Sequence, residues 1–132
     1  MIYILKNLLP IGVATLLGLA IGWAFVAFFE VPAPSVGTFA LIALCEFWIA
    51  AILAGALILA PDKAGPWTMA LGTAFIIWIG FVAPSAVVYL AMARLEWWAI
   101  LSIVLHWLAV MMVQTVAMKA IGLQAPPEGN GS

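Results

Sequence analysis

Four long runs of apolar residues, separated by short polar turns, constrain this chain more than any other feature of its sequence. The runs cover about residues 8–29, 38–60, 67–92 and 97–122. Each is long enough to cross the hydrocarbon core of a bilayer as an α-helix, which takes about 20 residues. Hydrophobic residues make up 68% of the chain and charged residues 7%, a balance that excludes a soluble domain of this size. We therefore predict an all-α, membrane-embedded antiparallel four-helix bundle.

The turns between the runs are too short to contain a separate soluble domain, so residues 1–123 are expected to form one transmembrane domain. Residues 124–132 are polar and rich in proline and glycine, and we predict that they form a disordered tail.

The charged residues and the single cysteine exclude several kinds of partner. Four basic and five acidic residues are scattered singly, so no basic patch exists for nucleic acid. Cys45 is the one cysteine and lies within an apolar run, so no thiol cluster is available and we predict no metal site.

The distribution of lysine and arginine predicts the orientation. Four spans place both termini on one side of the membrane. That side carries Lys6, Lys63 and Lys119, whereas the opposite side carries Arg94. The positive-inside rule therefore predicts that both termini lie in the cytoplasm.

Small residues recur at four-residue spacing in the first run. Ala14, Gly18 and Gly22 lie on one helix face, which is the pattern that lets two helix backbones approach closely. We interpret this face as a helix-packing surface. In the second run, Glu46 is spaced in the same way from two alanines, so its carboxyl is predicted to point into the bundle and not towards lipid.

Two ionisable residues lie at the same depth. Glu46 follows Gly37 by nine residues, and His106 follows Trp97 by nine residues. Both helices enter from the same side, so both residues are expected about 13 Å below that surface. Ionisable groups at such a depth are costly and usually functional. We predict that Glu46 and His106 face each other or share a water molecule.

Three further polar residues belong to this predicted intramembrane site: Ser85, Ser102 and Gln114. Pro84 breaks a backbone hydrogen bond in the third run, and the Ser85 hydroxyl next to it is expected to satisfy the freed backbone. Ser102 lies one turn before His106 and is expected to bond a carbonyl of its own helix. Gln114 lies on the flank of the stripe that contains His106.

Parts of the sequence resemble a bacterial family of small four-helix integral membrane proteins known as a domain of unknown function. The resemblance rests on Trp78-Ile-Gly-Phe-Val-Ala-Pro84, on the short turn with Arg94, and on His106 in the last helix. In the first run, the step from Gly22 to Trp23 is also similar to that family. The resemblance implies four helices in a bacterial inner membrane, and it implies no activity.

Three functions are consistent with these residues. One is a non-catalytic accessory, assembly or self-associating subunit, a homodimer or part of a larger membrane complex, in which Glu46 and His106 form an interhelical hydrogen bond. A second is a small proton-linked transporter or channel that uses this pair, with a dimer formed through the face of Ala14, Gly18 and Gly22. A third is a subunit that binds heme or a chlorophyll-type pigment through His106 as axial ligand.

An enzyme is the least supported class. A nucleophile, a base and an orienting group could be assigned to Ser102, His106 and Glu46. The sequence, however, contains no glycine-rich elbow or oxyanion site. We predict no catalytic residues.

Overall fold

The computed structural model describes residues 2–61 and 63–126, and in this range the chain is α-helical without strands. A short helix comes first, α1 (Ile2–Lys6). The long helices that follow are α2 (Leu8–Phe28), α3 (Val36–Leu59), a third span made of α4 (Pro66–Ile77), a π-helical turn (Trp78–Val82) and α5 (Ala83–Met92), and α6 (Trp97–Ile121). All four spans are long and apolar enough to cross a membrane. The predicted all-α fold with four long apolar helices is confirmed.

Helix α6 is the centre of the packing, because it contacts α2, α3, α4, the π-helical turn and α5. Its contact with α2 is the most extensive between any two helices. The core between the helices is rich in alanine, which allows close approach of the backbones. The fully buried alanines of this core are Ala14, Ala50, Ala51, Ala54 and Ala74.

The outer surface of the bundle is apolar. Large hydrophobic side chains on every span are exposed, among them Leu16, Leu44, Phe81 and Leu101. Such a surface is stable against lipid and unstable against water. The chain is therefore a small multi-pass membrane protein.

The second span begins slightly earlier than the hydropathy pattern predicts. The hydroxyl of Ser35 accepts a hydrogen bond of 3.2 Å from the backbone N–H of Thr38. Ser35 is thus the N-cap, and the helix starts at Val36 and not near residue 38.

The third span accommodates Pro84 through a wide turn. In a π-helix the carbonyls pair with N–H groups five residues later instead of four. The N–H of Ala83 accordingly donates to the carbonyl of Trp78, and the chain widens just before the proline that has no N–H. Ser85 is exposed, and no hydrogen bond of its hydroxyl is found in the described part of the chain. The backbone before Pro84 is therefore adjusted by the π-helical turn, and not by the hydrogen bond from the Ser85 hydroxyl that we expected.

The two ends of the described chain are joined by one side chain. Asn7 Nδ2 donates to the carbonyls of Tyr3 (2.8 Å) and Gln124 (2.9 Å), and the N–H of Gln124 donates to Asn7 Oδ1 (2.7 Å). Gln124, the first residue of the tail predicted to be disordered, thus forms two backbone hydrogen bonds with Asn7. Residues 127–132, the rest of that prediction, lie outside the described residues.

Candidate functional site

Buried polar side chains identify the region where the bundle departs from simple apolar packing. Among the residues that the structure describes, the buried polar ones are Asn7, Thr15, Glu46, Gln114 and Thr115. The two threonines donate to carbonyls four residues earlier in their own helices, and Asn7 is bonded as described above. Glu46 and Gln114 are different, because they contain buried polar atoms without a hydrogen bond to the described chain.

Glu46 lies at the meeting point of α2, α3 and α6. It follows the start of α3 by ten residues, which corresponds to about 15 Å of helix and places it near the middle of the bilayer. Its side chain is 2% exposed. Oε2 points to Gly18, and Oε1 lies 3.9 Å from the position that a Cβ would take at Gly22. The carboxyl therefore rests against the two glycines of α2.

Gln114 lies on the other side of Gly18. A Cβ at Gly18 would overlap Glu46 Oε2 and would lie 2.9 Å from Nε2 of Gln114, so both side-chain ends are adjacent to this glycine. Gln114 is 0% exposed, and neither its Nε2 nor its Oε1 has a hydrogen-bond partner in the described chain. The sequence placed Gln114 on the flank of the His106 stripe, whereas the structure makes it a neighbour of the Glu46 carboxyl.

A groove of about 220 Å³ lies above Glu46, between α2, α3 and α6. It extends from Glu46 to Pro34 in the connection between α2 and α3. Trp23 and Ile42, two of its lining residues, are exposed on the apolar surface of the bundle. The complete lining is Leu19, Gly22, Trp23, Phe25, Val26, Pro34, Phe39, Ile42, Glu46, Ile103, His106 and Trp107. The groove is therefore an aromatic cleft with a carboxyl at one end.

His106 lies on the wall of the same groove. Its imidazole packs on Phe25 with the ring centroids 4.7 Å apart and the planes at 49°. No hydrogen bond or ion pair joins His106 to Glu46 within residues 2–61 and 63–126. The structure thus brings both predicted residues to one groove, but without the direct contact that an interhelical polar bond requires.

The two serines of the predicted site lie elsewhere. Ser102 donates from Oγ to the carbonyl of Trp98 over 2.7 Å, which is the bond within its own helix that the spacing suggested. It lines a second cavity, of about 340 Å³, whose walls include Phe25 and Phe29. Ser85 is on the exposed surface of α5. Neither serine lines the groove above Glu46.

The small-residue face of α2 is used inside the chain. Ala14 and Gly18 are buried, and Gly22 forms part of the groove wall. Gly18 is covered by Glu46, Gln114 and Val110. Ala14 and Gly18 thus pack within one chain, and a dimer through this face, as considered from the sequence, stays a prediction.

Sequence reasoning missed most of the aromatic lining of the groove. A signal was present, since Phe25 follows Gly22 by three residues and so continues the glycine face by one turn. Phe39, by contrast, lies on another helix, and its ring approaches Trp23 with a centroid distance of 6.1 Å. Such a contact between helices depends on their relative rotation, which one sequence does not specify.

Comparison of the chain with protein-family models, with curated proteins and with solved structures finds no match. The resemblance to a four-helix family of unknown function stays a prediction. Within the described residues, no three histidine, cysteine, aspartate or glutamate side chains come together as a metal site.

Proposed function

We propose that this protein is a non-catalytic membrane protein that binds a small, largely apolar molecule in the groove above Glu46. The observation that supports this proposal is a buried carboxyl, 2% exposed, at the end of an aromatic cleft that opens on the apolar surface. Concave apolar sites with a few polar groups are the usual form of small-molecule sites.

The free-energy cost of burying the Glu46 carboxyl supports a ligand-binding role more than a packing role. A buried carboxyl without a hydrogen bond costs several kcal/mol, of the order of 2–7 for a polar group transferred to an apolar medium. The accessory hypothesis assigned Glu46 to an interhelical bond with His106, but no hydrogen bond joins the two side chains in the described chain. The Glu46 oxygen on the groove side is Oε1, so a molecule in the groove is a partner for Oε1, whereas Oε2, the buried oxygen without a partner, faces Gly18 and Gln114.

Entry from the lipid is supported by two exposed residues of the groove wall. Trp23 is 49% exposed and Ile42 is 37% exposed, and both are on the surface that faces the hydrocarbon. An apolar molecule dissolved in the bilayer reaches the groove without crossing water. Transport remains the alternative function, since a carboxyl near the midplane beside a groove is also the core of a proton-linked carrier.

We further propose a bacterial inner membrane with both termini in the cytoplasm. Lys6 ends α1, Lys63 lies in the connection between α3 and α4, and Lys119 is in the last turn of α6, so the three lysines are at the same end of the bundle. Arg94 is in the turn at the other end. The positive-inside rule supports this orientation.

The proposed function is tested by closing the groove. A Cβ at Gly22 meets nothing nearer than Glu46 Oε1 at 3.9 Å, so the Gly22→Leu side chain fits the backbone and extends into the groove. Gly12→Leu is the matched control, because Gly12 is on the same helix and a Cβ there has no atom within 4 Å. Wild type and both variants are purified from native membranes into nanodiscs, and bound small molecules are measured by native mass spectrometry.

We expect one non-phospholipid molecule to be retained by wild type and by Gly12→Leu and to be lost from Gly22→Leu. Equal retention by Gly22→Leu would overturn the proposed groove. A wild type that carries no small molecule, but that co-purifies at fixed stoichiometry with larger membrane subunits, would support the accessory function instead.

A further inference from the structure

We infer that the ligand of the groove is a lipophilic organic cation, a molecule with an ammonium group and an apolar body. This inference rests on the proposed function and adds the chemical class of the ligand. It follows from the charge and the aromatic lining of the groove and from the position of the Glu46 carboxylate.

The charge of the groove selects a cation. Within the described chain, Glu46 and His106 are the ionisable side chains of its walls, and no lysine or arginine lines it. The basic residues are at the ends of the helices and not at the level of Glu46. An anion would therefore meet the Glu46 carboxylate without a compensating positive group, whereas a cation would form an ion pair with it in a medium of low dielectric constant.

The aromatic walls provide a second site of attraction. Trp23, Phe25, Phe39 and Trp107 all line the groove above the carboxyl. The faces of such rings attract cations, tryptophan most strongly, and the attraction grows when the cation is removed from water. A cage of aromatic rings is also how proteins recognise quaternary ammonium groups. The rings additionally provide the apolar contact that the body of the ligand needs.

The Glu46 carboxylate is the acceptor that the groove offers to a donor or cationic ligand. The buried polar atoms without a partner in the described chain are two acceptors, Oε2 of Glu46 and Oε1 of Gln114, and one donor, Nε2 of Gln114, and Gln114 does not line the groove. Oε1 of Glu46 is next to Gly22, which is a wall of the groove, while Oε2 faces Gly18 and Gln114. A cation in the groove therefore approaches Oε1 of the carboxylate. The other oxygen, Oε2, is adjacent to the Gln114 amide.

His106 does not form an ion pair with Glu46, so it does not replace a cationic ligand as the partner of the carboxylate. Its ring packs on Phe25 with the centroids 4.7 Å apart and makes no hydrogen bond to Glu46, so it forms part of the groove wall. The volume of about 220 Å³ limits the ligand to a small molecule, below the usual range of drug-sized sites, which begins at about 300 Å³.

The test compares a cation with its uncharged analogue of the same shape. Benzyltrimethylammonium and neopentylbenzene differ by one nitrogen in place of one carbon. Their dissociation constants are measured by tryptophan fluorescence in nanodiscs of a zwitterionic phospholipid, which has no net charge to attract the cation. Empty nanodiscs and the Gly22→Leu variant give the contribution of unspecific partition into lipid.

We expect wild type and Gly12→Leu to bind the cation at least about tenfold more tightly than the neutral analogue. Glu46→Gln, which keeps the shape of the side chain, should weaken cation binding at least about tenfold and leave the neutral analogue within about threefold. Trp23→Leu, at a half-exposed position, should weaken cation binding about threefold and so provides a second variant if Glu46→Gln does not fold.

The outcomes separate the ligand class from the groove itself. If both probes bind equally, and Gly22→Leu abolishes binding of both, the cation inference is wrong and the proposed binding function stands. If Glu46→Gln binds the cation as wild type does, the inference is also wrong. If Gly22→Leu changes binding of neither probe, the proposed function fails with it.

Discussion

The carboxyl of Glu46 occupies the space that a Cβ at Gly18 would need. Oε2 approaches the α-carbon of Gly18 so closely that an added methyl group would overlap it, and Gln114 Nε2 would be 2.9 Å away on the other side. Both side chains are almost fully buried and cannot move into solvent. The buried position of the carboxyl therefore requires a glycine at residue 18.

Gly18→Ala should destabilise the protein by about 1–3 kcal/mol, the usual cost of overpacking a core. Reversible unfolding in mixed detergent micelles measures the change. Gly12→Ala is the control and should be neutral or slightly stabilising, because alanine is the better helix former and a Cβ at Gly12 meets no atom within 4 Å.

In a Glu46→Ala background, Gly18→Ala should cost less stability than in wild type, because the added methyl no longer overlaps Oε2 and only the approach to Gln114 Nε2 at 2.9 Å and Val110 at 3.2 Å remains. If the two substitutions are instead additive, the overlap with Oε2 is not the cause of the loss.

Asn7→Ala should cost about 1–3 kcal/mol, because a buried side chain loses three hydrogen bonds and leaves the backbone groups of Tyr3 and Gln124 without these partners. Amide exchange at Gln124 should accelerate in parallel. Gln124→Ala is the control, since the contact uses only the backbone of Gln124. A large effect of Gln124→Ala would show that the side chain of that residue, and not the bond to Asn7, holds the segment.

Trp78→Phe should lower stability by about 1 kcal/mol. The indole of Trp78 is buried and donates from Nε1 to the carbonyl of Val104 over 3.0 Å, which ties the π-helical turn to α6. Trp97→Phe, at an exposed position, should be close to neutral. Both are compared by the same unfolding measurement, and an equal loss in the two variants would argue against the role of this bond.

The proposed orientation predicts the labelling of single cysteines. In a Cys45→Ala background, Ala33→Cys in the connection between α2 and α3 should react with a membrane-impermeant maleimide on intact cells. Gln124→Cys, at the end with the three lysines, should react only after lysis. The reverse pattern would place the termini outside the cytoplasm.

Hydropathy alone predicted the four spans. Each apolar run is long enough to cross the bilayer, and inside the bilayer the backbone must form its hydrogen bonds within a helix. Four-residue spacing also predicted that Glu46 and the face of Gly18 point inward. The sequence did not predict which side chains are next to Glu46. Gln114 is its neighbour because of the rotation of α6 about its own axis, which one sequence does not specify. The packing of Phe25 on the His106 ring likewise depends on the rotation of the helices. The bond between Asn7 and Gln124 joins residues 117 positions apart, and no local pattern indicates it.

The π-helical turn at Trp78–Val82 has a consequence for insertions and deletions in the third span. A wide turn contains one residue more than an α-helix would use over the same path. Deleting one residue there restores ordinary helical winding and keeps the faces of α4 and α5 aligned on α6. The same deletion in the middle of α4 or α5 rotates all following side chains by about 100°. Among the positions of this span, length variation between related chains is therefore tolerated best at the turn that precedes Pro84.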